Sequence, residues 1–219
     1  SFQNPTRIHF GKSALSKLPA ELKEYGPNVL LVYGKASIKK IGLYDQVMQI
    51  LHEAGKKVVE LAGINANPRY TQLLAGAQLV REHNIDLILA VGGGSVIDCA
   101  KGIACAAYAE GDVWQRYYVN QEPVTNRVVP VGSILTMAGT GSEMNSGSVI
   151  TNEAENLKIG RVYPLAMVTP RFSILNPEYT YSVPKYQMIS GIFDVFSHLM
   201  EQYFSGDDDC TSDYLLEGL

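Results

Sequence analysis

The run Asp86-Leu87-Ile88-Leu89-Ala90-Val91 leads directly into Gly92-Gly93-Gly94-Ser95, and a helical pattern follows through Val96, Ile97, Ala100 and Ile103. A short apolar run without polar alternation fits a strand buried on both faces, as in a parallel sheet. The helix that starts at once completes a strand–turn–helix unit. Two readings of the turn are open. Glycine turns tightly and tolerates positive φ, and Ser95 is a candidate cap for the helix. Capping accounts for Ser95 and one glycine, not for three. Alternatively, something must approach the backbone closely. A helix N-terminus offers unpaired N–H groups and roughly half a positive charge, a setting suited to a phosphate.

The same alternation runs along most of the chain. Asn28–Tyr33 reads as a buried strand, Ile38–Ala54 as a helix, Lys56–Leu61 as a strand and Tyr70–His83 as a helix. Asp86–Val91 is the next strand, the helix after the glycines is expected to reach about Ala109, and Arg127–Gly132 reads as a further strand. This order predicts an α/β fold: a Rossmann-like parallel sheet with right-handed crossovers. Gly147–Thr151 and Leu157–Arg161 flank the polar stretch 152–156 and read as an antiparallel hairpin. Ala166–Val168 and Phe172–Leu175 are read as short strands. From Pro184 the signal is helical, and another helix is expected after Gly206-Asp207-Asp208-Asp209. The expected division is a dinucleotide-binding α/β domain over 1–180 and, over 181–219, the beginning of a helical domain that looks truncated.

Bulk properties narrow the classes. With 219 residues, 46% hydrophobic and 18% charged, the chain suffices for one large core, or one core and part of another. A formal net charge of −4 argues against nucleic acid as the main partner. No apolar run approaches the roughly 20 residues of a membrane span. No secretory leader is expected, and Ser1 in place of Met reads as a trimmed start. Cys99, Cys105 and Cys210 are three in number and in no metal-like spacing, which points to reduced thiols in a cytoplasmic protein.

Candidate chemistry collects where strands should end. Tyr33-Gly34-Lys35-Ala36-Ser37, the stretch 92–98 and the stretch 133–145 follow three separate strands. In open parallel sheets ligands bind beyond the strands' carboxyl ends, so these turns form one rim for a phosphate-bearing ligand. The turn 139–143 has two readings: a helix entry capped by Thr140 or Ser142, or a site that sets Thr136 and Ser142 against a ribose or nicotinamide amide. Asp194 and His198 are four residues apart on a predicted helix, with Cβ atoms about 5–6 Å apart. They suit Fe²⁺ or Zn²⁺, which accept carboxylate oxygen and imidazole nitrogen, or else form a plain Asp–His hydrogen bond.

Taken together, these motifs resemble the iron-containing (group III) alcohol dehydrogenases, particularly the branch of butanol dehydrogenases and NADPH-dependent aldehyde reductases. The likeness runs through PTRIHFG (5–11), NANPRY (65–70), GGGSVID (92–98), TMAGTGSE (136–143), LNPEYTYSVP (175–184) and DVFSH (194–198). The resemblance implies a dinucleotide-binding domain followed by an all-helical domain, with the active site between them. It implies that Gly93, Gly94 and Ser95 cradle a pyrophosphate. Asp98, Thr136, Ser142 and Lys158 would lie around the ribose and nicotinamide, and Asn67 and Leu175 nearer the adenosine half. Asp194 and His198 would be two of four metal ligands. The family's other two are later histidines, and this sequence has no histidine after His198. The chain is therefore read as a fragment of a longer enzyme or as a shortened form with half a metal site. The implied activity is interconversion of small primary alcohols and aldehydes by metal-assisted hydride transfer, in a homo-oligomer. No general acid or base stands out.

Cofactor choice has a local argument. NAD selection uses an acidic residue on the ribose 2′-hydroxyl, whereas NADP needs room or positive charge for the 2′-phosphate. Gly34 and Ser37 stand after a strand with Lys39 and Lys40 nearby and no acid between. NADP(H) is expected over NAD(H), with Ser37 bonding the phosphate. Competing readings are a lyase resembling dehydroquinate synthase and a catalytically incomplete nucleotide-binding fragment.

Overall fold

The structure, a computed structural model, describes residues 3–205 and 211–219. Its strands are β1 (Arg7–Phe10), β2 (Asn28–Tyr33), β3 (Lys57–Leu61), β4 (Leu87–Gly93), β5 (Val131–Met137), β6 (Gly147–Asn152), β7 (Leu157–Val162) and β8 (Phe172–Leu175). The α-helices are α1 (Leu18–Leu22), α2 (Ser37–Lys40), α3 (Leu43–Glu53), α4 (Tyr70–Glu82), α5 (Gly94–Ala106), α6 (Lys185–Tyr203) and α7 (Thr211–Gly218). Six strands form one parallel sheet in the order β1-β8-β5-β4-β2-β3, and β6 and β7 pair as a separate antiparallel hairpin. The fold is α/β and Rossmann-like.

Side-chain alternation along the central strands explains the layers. Leu87, Leu89 and Val91 of β4 face a core shared with Leu18 and Leu22 of α1 and Leu43, Val47 and Leu51 of α3. Ile88 and Ala90 face the other core, with Leu73 and Val80 of α4 and Ile97, Ala100 and Ile103 of α5. Both faces are covered, so the strands carry the unbroken apolar runs that made them legible. Close approach is built in where a side chain would not fit. A Cβ on Gly132 would stand 2.3 Å from the Phe172 ring, and one on Gly76 2.3 Å from Ile103.

From β2 the chain steps outward to β3, then crosses back over β2 to β4 and continues to β5 and β8. The two directions part between β2 and β4. That is the switch point at which the strand ends splay and leave a crevice.

Several boundaries differ from the sequence reading. Strand β5 starts at Val131, not Arg127. Pro130 has no N–H for the ladder, although its carbonyl accepts from Ile88 N at 2.9 Å. The helix read over Ile38–Ala54 is two, divided at Gly42, whose φ is 71°. Helix α5 stops at Ala106 instead of Ala109. Ala166–Val168 is a turn with Ala166 at φ 67°, not a strand. Gly206–Asp209 and Cys210 lie outside the described residues. Among those residues no helix is long and apolar enough to cross a membrane.

Helix α6, like α7, contrasts with the earlier helices. None of its described residues is buried, and Ile192, Phe193 and Phe196 are 61%, 69% and 57% exposed. Among the described residues nothing buries these three side chains.

Candidate functional site

The glycine turn is more economical than three loop glycines. Gly92 and Gly93 end β4, Gly93 is the N-cap of α5, and Gly94 is already helical. Ser95 is not the cap. It stands one position inside the helix, and its Oγ accepts from Asn67 N at 3.3 Å. Asn67 has a φ of 57°, and its side-chain oxygen accepts from Lys158 Nζ of β7 at 2.7 Å. One polar chain therefore links the start of α5, the loop before α4 and the hairpin.

The glycines also serve the protein's own packing. A Cβ on Gly94 would lie 2.4 Å from Thr140 Oγ1, and one on Gly92 2.6 Å from Val96. The loop after β5 leans on the turn at Thr140. That loop enters no helix, because Gly139 and Gly141 hold φ of 159° and 63°. The reading of 139–143 as a capped helix start is thereby overturned.

Two adjoining cavities open at this rim. The first, of about 300 Å³, lies at the switch point and is lined by Ser37, Gly93, Gly94, Ser95 and Thr136, with Pro184 and Gln187 on the far wall. The second, of about 290 Å³, is lined by Gly94, Ser95, Gly139 and Thr140, with Gly191 and Asp194 of α6. Neither lining includes Asp98, Ser142, Lys158 or Leu175. Gly34 follows β2 half-buried, and Leu175 ends β8 half-buried, its carbonyl accepting from Gly11 N at 2.9 Å.

Asp98 and Ser142 belong to a buried network behind the rim. Ser142 Oγ donates to Asp98 Oδ1 at 2.5 Å and accepts from Lys101 Nζ at 2.9 Å. Val149 N donates to Asp98 Oδ2 at 3.1 Å. Burial pushes the Asp98 carboxyl above the usual range, against the hydrogen bonds of Ser142 and Val149 and the nearby Lys101 and Lys158 charges. Lys101 is wholly buried, and burial lowers its ammonium to about 8 against the pull of Asp98 and Glu143. The sequence reading missed Lys101. Its one signal was a lysine three residues after Asp98, on the same helical face, inside an otherwise apolar helix.

Asp194 Oδ1 and His198 Nε2 stand 3.7 Å apart on α6, both about half exposed. A carboxylate oxygen and an imidazole nitrogen are donors that a borderline divalent ion accepts. Among the described residues no third His, Cys, Asp or Glu joins them in a metal-binding group. The pair fits a metal as part of a donor set, short of the three protein ligands usual in catalytic sites.

The segment after β2 has its own arrangement. Lys39 Nζ lies over the Tyr44 ring at 4.5 Å and the Tyr33 ring at 5.4 Å. Both phenols donate to Glu60, Tyr33 at 2.6 Å and Tyr44 at 3.0 Å. Lys39 and Glu60 are thus held by the aromatic pair on the α3 side of the sheet.

Architecture and rim define an α/β protein of the Rossmann-like class, open at the carboxyl ends of its strands. The chain belongs to the iron-containing alcohol dehydrogenase family, whose model matches residues 5–177. It is 52% identical over 204 residues to a probable NADH-dependent butanol dehydrogenase 1 of Bacillus subtilis, covering 93% of this chain and 52% of that protein. It is 39% identical over 222 residues to the NADPH-dependent aldehyde reductase YqhD of Escherichia coli, covering 100% and 56%. The crystal structure of NADH-dependent butanol dehydrogenase A from Thermotoga maritima superposes with a TM-score of 0.92 at 36% identity, over 100% of this chain and 54% of that one. The chain spans about half the length of the curated relatives it matches.

Proposed function

We propose that this chain is the dinucleotide-binding part, and the first turns of the metal-binding part, of an oxidoreductase that interconverts small primary alcohols and aldehydes. The division proposed is 1–180 for the α/β unit and 181–219 for the start of a helical one. The observation that carries the reading is the shared cavity in which Gly94 and Ser95 face Asp194. A ligand seated on the start of α5 would lie beside the residue proposed to hold a metal.

In this reading the amides at the start of α5 take the pyrophosphate, with Gly93 and Gly94 leaving the backbone bare. Thr136 and Ser95 offer hydroxyls along the crevice. Lys158 and Asn67 frame its outer edge as a bonded pair, while Asp98 and Ser142 support the wall from behind. Leu175 marks the end of the neighbouring strand. Asp194 and His198 would hold the ion together with donors beyond this chain. When bound, the metal supplies Lewis acidity to a carbonyl or alkoxide oxygen and the nicotinamide supplies or accepts the hydride.

For the cofactor, NADP(H) is proposed over NAD(H) because no carboxylate lines the switch-point crevice and Ser37 does. Lys39 adds less than its position in sequence implied, since its ammonium is occupied by the two tyrosine rings. The relatives' names divide, with NADH for the butanol dehydrogenases and NADPH for the aldehyde reductase. The family match gives the lyase alternative no support. Buried free thiols at Cys99 and Cys105 are in keeping with a reducing, cytoplasmic setting.

Titration of the chain with NADPH and separately with NADH, followed by nicotinamide fluorescence without added metal, tests the proposal. Tighter binding of NADPH is expected. Equal binding would remove the 2′-phosphate preference, and binding of neither would remove the dinucleotide site from this chain.

A further inference from the structure

We infer that Lys101 is the positioning residue for the loop 139–147, and through it for the wall shared by the glycine turn and Asp194. This inference rests on the proposed dinucleotide site for its consequence, but the loop itself can be observed without a ligand.

The loop has no regular structure between β5 and β6 and contains two glycines at positive φ. Left to itself such a segment gains little by holding one conformation. Lys101 supplies what is missing. Its Nζ donates to Ser142 Oγ at 2.9 Å, Asn145 Oδ1 at 3.0 Å and Gly147 O at 3.0 Å. An ammonium has three protons: two are spent on the loop, at Ser142 and Asn145, and the third on Gly147, where β6 begins. Asn145 passes the restraint on, since its Nδ2 donates to Thr140 O at 3.2 Å. Thr140 is the residue against the Gly94 backbone, and Gly139 is the residue against Asp194. A single buried cation therefore reaches both halves of the rim through two bonded links.

Charge matters as well as shape. A deprotonated amine keeps two N–H donors, so one loop acceptor would lose its partner. The ionisable groups acting on Lys101 are Asp98 on its own helix and Glu143 in the loop. Lys158 of the hairpin acts on Asp98. With the ammonium held near 8, dinucleotide affinity should fall as pH rises through about 8. Fold stability should move the other way. A folded-state value below the unfolded one of about 10.5 adds stability as pH rises from 8 toward 10.5. A purely structural lysine would show the second trend without the first.

The experiment is amide hydrogen exchange on the wild-type chain and Lys101→Met, with NADPH and NADH titrations of both from pH 6.5 to 9.5. The expected result is exchange at 139–147 faster by about tenfold or more in the variant, and dinucleotide affinity lower by about tenfold, with the pH dependence abolished. Unchanged exchange in the loop would overturn the inference whatever the ligand does. If Lys101→Met does not fold, the wild-type profile decides: affinity flat across pH 8 while the dinucleotide binds would also overturn it. A wild-type chain with a slowly exchanging loop that binds neither nucleotide would sink the proposed function and, with it, the ligand consequence drawn here.

Discussion

Gly139 lies directly against Asp194: a side chain on Gly139 would place its Cβ 3.5 Å from Asp194 Oδ2. Gly191, three residues earlier on α6, repeats the closeness, since its Cβ would meet Ala138 O at 3.2 Å. The loop after β5 and the helix that carries the proposed metal residues thus meet through glycines. Gly191→Val should push α6 off the loop and loosen it, with little effect on the sheet. Hydrogen exchange would show faster α6 amides with β4 and β5 unchanged. Equal protection along α6 would mean that this seam does not hold the helix.

Gly94 tests whether the turn serves a ligand or only the fold. Gly94→Ala brings a Cβ to 2.4 Å from Thr140 Oγ1 and should cost about 1–3 kcal/mol in stability. Adding Thr140→Ala removes the nearest atoms and should return most of that loss. Dinucleotide affinity should stay low in the double variant if the bare backbone also receives the pyrophosphate. Recovery of both would reduce Gly94 to a packing residue.

Ser37 tests the proposed cofactor choice. Ser37→Asp sets a carboxylate at the start of α2, in the crevice that has none. The ratio of NADPH to NADH affinity should drop by about tenfold or more through repulsion of the 2′-phosphate. An unmoved ratio in competitive fluorescence titrations would place the 2′-position elsewhere.

Acid should weaken the first helix through Glu21. Burial pushes its carboxyl up, but the hydrogen bonds of Arg7 and His9 outweigh this and hold it below the usual range. A lowered value gives stability that is full above the unfolded value of about 4.5 and is lost as pH falls through the folded one. Arg7 Nη2 donates to Glu21 Oε2 at 2.5 Å. Glu21→Gln should lower stability by about 1–3 kcal/mol at pH 7 and flatten the acid limb of a denaturation profile. A variant with the wild-type acid limb would remove Glu21 from that role.

The uncovered apolar side chains of α6 should draw copies of the chain together. Sedimentation over a concentration series should show self-association that Phe193→Lys with Phe196→Lys reduces. A monomer with protected α6 amides would contradict this.

The parts of the fold that the sequence made legible share a physical cause. Strands β2 and β4 are buried on both faces, so their apolar runs had no polar interruption, and the 147–162 hairpin was marked by its polar turn. What stayed hidden depended on long-range geometry. Nothing local tells that Pro130 shifts β5 toward Met137, or that Gly42 divides a helix whose apolar spacing continues across it. Lys101 is hard to read from sequence because a lysine in a helix is ordinarily solvated at its tip. Its three acceptors lie some forty residues away. The motifs mark Asp98 and Ser142 as candidate site residues, yet only the folded chain shows that they are bonded to each other.

The contact between Gly94 and Thr140 has a historical consequence. The two positions are not free to change in either order. A side chain can enter at 94 only after 140 has already become smaller. Descendants of this sequence would therefore reach a different turn by a narrow, ordered route, and two turns that each work could be separated by an intermediate that does not fold well.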